Sequence, residues 1–187
     1  MRSLALALGL ALGAGPALAQ DGPGPNLVIE VEGARANGTV VIDLLPEVAP
    51  RHVDQITALA AEGAYDGVVF HRVIDGFMAQ TGDVEFGKGP DLSRAGMGGS
   101  SRPDLPAEFS AIPFDRGVVG MARAQSPDSA NSQFFIMFAP GHFLDGQYTV
   151  VGRVLSGMEV VDAIKRGRGQ SGAVTDPDRM ARVRVQP

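Results

Sequence analysis

The sequence predicts a mainly β fold, a closed or nearly closed barrel capped by two helices. Three observations lead there. Short β-branched and apolar runs recur along the chain, and only two stretches carry helical spacing. The 25 glycines and 13 prolines are scattered, as turns between many short strands require. A chain of 187 residues with 44% hydrophobic and 20% charged residues suits one globular domain.

The elements follow in order. Leu27-Val28-Ile29-Glu30-Val31 reads as a strand, Gly33 to Gly38 as a turn, and Thr39 to Leu44 as the returning strand. Pro50 suits a first helical turn, and Val53, Ile56, Leu59 and Ala60 recur at helical spacing until Gly63. Val68 to Ile74 and Phe77 to Thr81 are extended and largely apolar. Asp83 to Pro106 is Gly-rich and charged without a period, so it reads as a long surface loop. Gly117 to Arg123, Gln133 to Phe138 and Thr149 to Leu155 read as strands. Met158 to Ile164 is the second helix, and alternation over Ala181 to Val185 closes the sheet.

The N-terminus reads as a targeting segment. Arg2 is followed by an apolar run from Leu4 to Leu12, and Ala17-Leu18-Ala19 fits small-residue cleavage before Gln20. The run is short for a bilayer span, and Gly13, Gly15 and Pro16 interrupt it. The expected organisation is a signal peptide over 1–19, a flexible lead-in over 20–26 and one domain over 27–187. A location outside the cytoplasm follows, and no membrane span remains after cleavage. Losing residues 1–19 removes Arg2 and no acid, which moves the formal charge from −5 to −6. An acidic domain is a poor binder of nucleic acid. The absence of cysteine excludes thiol nucleophiles and thiolate metal ligands.

Several chemistries fail on spacing. His52, His71 and His142 are far apart and match no metal-ligand pattern, so no metal is expected. No G-x-S-x-G elbow occurs, and Gly96-Met97-Gly98-Gly99 lacks the Lys-Ser/Thr of a phosphate-binding loop. Asp83 and Glu85 lie in a polar loop and read as solvated acids. What remains is a lone arginine in an apolar strand, Phe70-His71-Arg72-Val73-Ile74-Asp75-Gly76-Phe77-Met78-Ala79-Gln80, and a second run, Asn131-Ser132-Gln133-Phe134-Phe135-Ile136. A charge within such a strand needs partners or a solvent-facing cleft.

The first run, continued through Gly82-Asp83, resembles the signature of the cyclophilin family. The second run resembles that family's second signature. Phe143-Leu144-Asp145-Gly146 with Val150-Val151-Gly152-Arg153-Val154 resembles a third stretch, and order and separations agree from about Leu27 to the C-terminus. The resemblance implies a closed eight-stranded antiparallel barrel capped by two helices, and a peptidyl-prolyl cis-trans isomerase that assists folding of exported proteins. Together with the leader it implies a periplasmic location, with secretion as the alternative. It implies that Arg72 and Gln80 are the polar catalytic pair. Phe77, Met78, Phe135 and Leu144 would line the proline pocket, Gln133 would position the peptide, and Met121, Ala122, Arg123 and Ala124 would flank its backbone. Phe143 stands where animal cytosolic members carry tryptophan, and Tyr148 where they carry histidine. Weak cyclosporin binding is therefore expected, together with a monomer, no cofactor, and proline-containing polypeptides as partners. Arg123 in place of asparagine, Met97, and the longer segments Val84–Ala95 and Gln125–Ala130 depart from the family pattern and bear on flanking-residue specificity. A proline-segment-binding chaperone or assembly module with little catalysis is the alternative.

Overall fold

The computed structural model describes residues 21–187. The expected signal peptide lies outside the described residues. Eight strands form one antiparallel sheet: β1 (Asn26–Glu32), β2 (Gly38–Leu44), β3 (Arg72–Ile74), β4 (Met78–Thr81), β5 (Val118–Met121), β6 (Phe134–Met137), β7 (Val150–Ser156) and β8 (Arg179–Gln186). Two helices, α1 (Pro50–Ala61) and α2 (Met158–Ala163), and a 3-10 turn over His142–Leu144 complete the elements. β1 begins at Asn26, within the expected lead-in, and the Leu44 amide donates to the Pro25 carbonyl.

The sheet order is β3-β4-β6-β5-β7-β2-β1-β8, with β3 and β8 at its two ends. The expected closed barrel is therefore corrected to an open half-barrel. Closure fails because β3 is only three residues long, and its outer edge is taken by a loop rather than by β8. The Val73 amide donates to the Gly172 carbonyl, and the Gly167 and Val174 amides donate to Val73 and His71. β8 reaches across only through its first residues, where Gly67 and Met180 exchange bonds with Met180 and Val68. Loop coverage of this kind protects an edge strand without a full ladder.

Alternation in the strands divides the apolar residues between two cores. Val73, Ala79, Val119 and Ile136 face inward with Ile29, Ile42, Val53, Ile56 and Phe70, forming the main core under the two helices. On the opposite face Met78, Phe114, Val118, Phe135, Met137, Leu144 and Val150 form a smaller cluster. That second cluster is the floor of the candidate site.

Candidate active site

Strand register builds the site. Arg72 pairs across from Gln80, Gln80 from Phe135, and Phe135 from Gly120. Residues directly opposite in adjacent strands share a face, so an arginine, a glutamine and a phenylalanine stand in one row on the outer face. Met78, two residues before Gln80, joins the same face. Gly120 leaves room for the row: a Cβ there would meet Phe135 Cζ and Phe114 Cε1 at 2.6 Å. The freed space lets Phe135 stack on Phe114 with centroids 5.8 Å apart, while Tyr148 meets Phe135 edge-on at 5.9 Å.

Arg72, Phe77, Met78, Gln80, Ala122, Arg123, Phe135, Phe143, Leu144 and Tyr148 line one open cavity of about 250 Å³. Its floor is apolar and its rim carries two guanidinium groups. Arg72 Nε donates to the Ser171 carbonyl at 3.1 Å, and Nη1 donates to Gln80 Oε1 at 3.2 Å and approaches Met78 Sδ at 3.9 Å. Nη2 has no partner among the described residues, and no carboxylate pairs with this arginine there. Arg123 lies over the Tyr148 ring at 4.4 Å and donates to the carbonyls of Gln147, Ala124 and Gln125.

A second cavity of about 360 Å³ adjoins the first and shares Gln80, Ala122 and Arg123 with it. Ala124, Gln133 and the Gly96–Ser100 turn line it as well. Of the residues expected at the site, Met121 alone lines neither cavity. Its side chain is 1% exposed in the main core, and its amide donates to the Thr149 carbonyl.

Two features escaped the sequence reading. Ser171 braces Arg72 from a loop with no apolar pattern, so nothing in its spacing announced it. Asp83 is not a solvated acid, because it is 0% exposed. Its Oδ1 accepts from the Glu85 and Phe86 amides at 3.1 and 2.9 Å, and its Oδ2 from the Gly96 and Gly98 amides at 2.7 and 3.0 Å. Glu85 is exposed, as expected. The glycines at 96 and 98 were the available signal, since amides can crowd a carboxylate where side chains are absent. Burial lowers the His71 pKa; the Asp83 carboxylate opposes this and Arg72 adds to it, so the ring is neutral at neutral pH.

Among the described residues no group of histidines and acids is placed to hold a metal ion. The arrangement therefore offers an apolar recess beside fixed hydrogen-bond donors.

The model of the family described as cyclophilin type peptidyl-prolyl cis-trans isomerase/CLD matches residues 27–185. The chain belongs to this family. It is a cyclophilin-type peptidyl-prolyl cis-trans isomerase by family and by relatives. A probable peptidyl-prolyl cis-trans isomerase of Brucella suis biovar 1 is 61% identical over 154 residues, covering 80% of this chain and 79% of the relative. The peptidyl-prolyl cis-trans isomerase ppi1 of Schizosaccharomyces pombe is 39% identical over 127 residues, covering 66% and 76%. Among solved structures, cyclophilin AquaCyp293 from Hirschia baltica superimposes with a TM-score of 0.71 at 27% identity, covering 87% of this chain and 74% of that one. A Cryptosporidium parvum cyclophilin, solved in the presence of the dipeptide Ala-Pro, shares the fold with a TM-score of 0.72 at 24% identity, covering 87% and 99%.

Proposed function

We infer that this cyclophilin accelerates rotation about X–Pro bonds by aiming Arg72 at the prolyl nitrogen, and that it assists folding of proteins exported with it. The observation that carries the reading is the state of the Arg72 fork. Two of its nitrogens are held by Ser171 and Gln80, and Nη2, at the rim of an apolar recess, has no partner among the described residues. The recess suits a proline ring, as the Ala-Pro dipeptide used with the C. parvum relative suggests.

The chemistry asks for little more. A peptide C–N bond is kept planar by resonance, with a rotation barrier of about 18–20 kcal/mol. As the bond twists, the nitrogen regains its lone pair and becomes an acceptor. A donor fixed against that nitrogen binds the twisted state better than either planar isomer, which is the condition for catalysis. Arginine suits the role because it stays protonated and holds its donors in a rigid plane. Phe77, Met78, Phe135 and Leu144 would grip the ring while the other side of the bond turns. Gln133 and the Ala122–Ala124 segment would hold the peptide backbone beside the second cavity. The expected leader supports a periplasmic site of action.

The test is exchange of an X–Pro peptide catalysed by the wild type, by Arg72→Ala and by Arg72→Lys. Both variants should lose roughly 10²-fold or more in kcat/KM, about 3 kcal/mol of transition-state stabilisation. Lysine keeps the charge and loses the planar fork, so it should not rescue. Wild-type rates in a folded Arg72→Ala protein would remove Arg72 from the mechanism. Peptide binding without catalysed exchange in the wild type would favour the proline-binding chaperone instead.

A further inference from the structure

We propose that Asp83, buried behind the site and touching no substrate surface, is a positioning residue that sets the polarity of the hydrogen-bond relay ending on Arg72; the catalytic consequence rests on the reading of Arg72 above. Its carboxylate takes two amides from the start of the long loop and two from its end, which closes Asp83–Gly98 into a compact lobe. The Gly87 amide adds a bond to the Asp83 carbonyl at 2.9 Å. No cation pairs with the carboxylate among the described residues, so its charge is met by backbone dipoles. Charge-assisted bonds of this kind are stronger than neutral ones.

The same two residues that Asp83 holds by their amides present their carbonyls to Gln133. Gln133 Nε2 donates to Gly96 O at 3.1 Å and to Gly98 O at 2.8 Å. Two acceptors on one side fix which end of the Gln133 amide is which. Its Oε1 must then face Gln80, where it accepts from Gln80 Nε2 at 2.9 Å. That fixes Gln80 in turn, so Oε1 faces Arg72 and accepts from Nη1. Each amide in the chain could flip by itself with little change in shape. The two ends of the relay forbid it, because a loop carbonyl cannot donate and a guanidinium cannot accept. If the loop carbonyls withdraw, the Gln133 amide loses the anchor that fixes its orientation, Gln80 is oriented by Arg72 alone, and the brace on the fork loosens.

The lobe is built to resist such withdrawal. A Cβ on Gly98 would meet Asp83 Oδ1 and Phe86 Cδ2 at 2.7 Å. Gly96 has φ +96°, and a Cβ there would meet His71 Cδ2 at 2.9 Å. Either contact would push the turn away from the carboxylate.

Asp83→Asn keeps the shape and turns one acceptor oxygen into a donor facing amide donors. In the full chain it should lower the exchange rate at saturating peptide about tenfold, the scale expected when a reacting group is misplaced. Peptide affinity should change by less than about twofold, since the apolar recess is untouched. In a Gln133→Leu background, where the relay is already cut, the same substitution should cost under about twofold. A purely structural role would cost the same in both backgrounds and would overturn the proposal. The Arg72 Nε–Hε and Gln80 side-chain amide resonances should shift in Asp83→Asn; if they stay in place in a folded variant, the relay does not run through Asp83. Gly98→Ala moves the same turn without changing Asp83, and serves if Asp83→Asn does not fold. Absence of exchange in the wild type would defeat the enzymatic reading, while the resonance shifts would still decide whether the relay exists.

Discussion

The proposed role of Arg72 depends on what it lacks. A guanidinium paired with a carboxylate would spend its donors on that acid, whereas here neutral oxygens brace it and Nη2 has no partner among the described residues. Phe135 shows the opposite economy, since one ring serves two purposes. It is 5% exposed, stacks on Phe114 and belongs to the smaller core, yet it also walls the candidate cavity. Phe135→Ala should therefore lower stability by about 3–5 kcal/mol, as loss of a buried aromatic does. It should also weaken peptide binding by roughly tenfold or more, from lost apolar contact worth about 1.5–3 kcal/mol. Thermal unfolding and peptide titration separate the two, and unchanged affinity would restrict Phe135 to the core. Phe143 differs again: it is 67% exposed, and its ring tilts over Phe77 with centroids 5.4 Å apart. It offers no indole N–H, and a net hydrogen bond is worth about 0.5–1.5 kcal/mol. Cyclosporin should inhibit weakly, and Phe143→Trp should regain sensitivity, in part because Tyr148 also remains. Tight inhibition of the unaltered chain would show that this ring does not govern the property.

At the scale of elements, the strands and helices were readable because each carries its own period. α1 runs from Pro50 to Ala61, where the helical spacing and Gly63 put it, and β5, β6 and β7 fall within or beside their expected runs. The candidate site was also readable, because three signature runs carry Arg72, Gln80, Phe135 and Leu144, which the structure brings to one cavity. Closure was not readable. It depends on which segment reaches the edge of β3, and the 167–174 loop that does so has no apolar alternation to announce it. The inward turn of Asp83 was hidden for a related reason: its partners are main-chain amides, which no side-chain pattern records. The N-terminus of α1 shows the same blindness. Ala49 offers no capping side chain, and the cap comes from Glu108, far along the chain. Its carboxylate accepts from the Arg51 and His52 amides at 3.3 and 3.2 Å and from His52 Nδ1 at 2.6 Å. Glu108→Ala should destabilise the fold by about 1–2 kcal/mol, the range of a lost N-cap. It should leave the exchange rate at saturating peptide unchanged at temperatures where the variant is folded. A thermal midpoint equal to the wild type would show that water replaces the cap at no cost.

For the whole molecule, the proposed mechanism puts catalysis and acid stability on separate groups. The proposed chemistry uses no titrating group near neutrality, since arginine stays protonated throughout. The exchange rate at saturating peptide should therefore be flat from about pH 7 to pH 9, where histidine and carboxylates have finished titrating. Stability should behave differently. Burial holds the His71 pKa below its ordinary 6.5, against the pull of Asp83. The unfolded chain then binds a proton on this ring before the folded chain does, so stability rises with pH wherever the two differ. Its contribution is complete above the unfolded value and is lost as pH falls through it. Glu108 acts in the same direction lower down. Burial pushes its carboxyl up, but bonds from the His52 ring and the Arg51 and His52 amides outweigh that and leave the pKa below its ordinary 4.5. A depressed carboxyl contributes stability above its unfolded value, and that contribution is lost as pH falls through the folded one. The thermal midpoint should thus fall in two stages, the first beginning near the ordinary histidine value and the second below the ordinary carboxyl value. His71→Gln should remove the first stage and keep the second, while Glu108→Gln should keep the first and shrink the second, to which the depressed Asp162 and Asp91 carboxyls also contribute. Unfolding curves of the three proteins between about pH 8 and pH 2 would decide it. Parallel loss in the wild type and His71→Gln would place the first stage on another group.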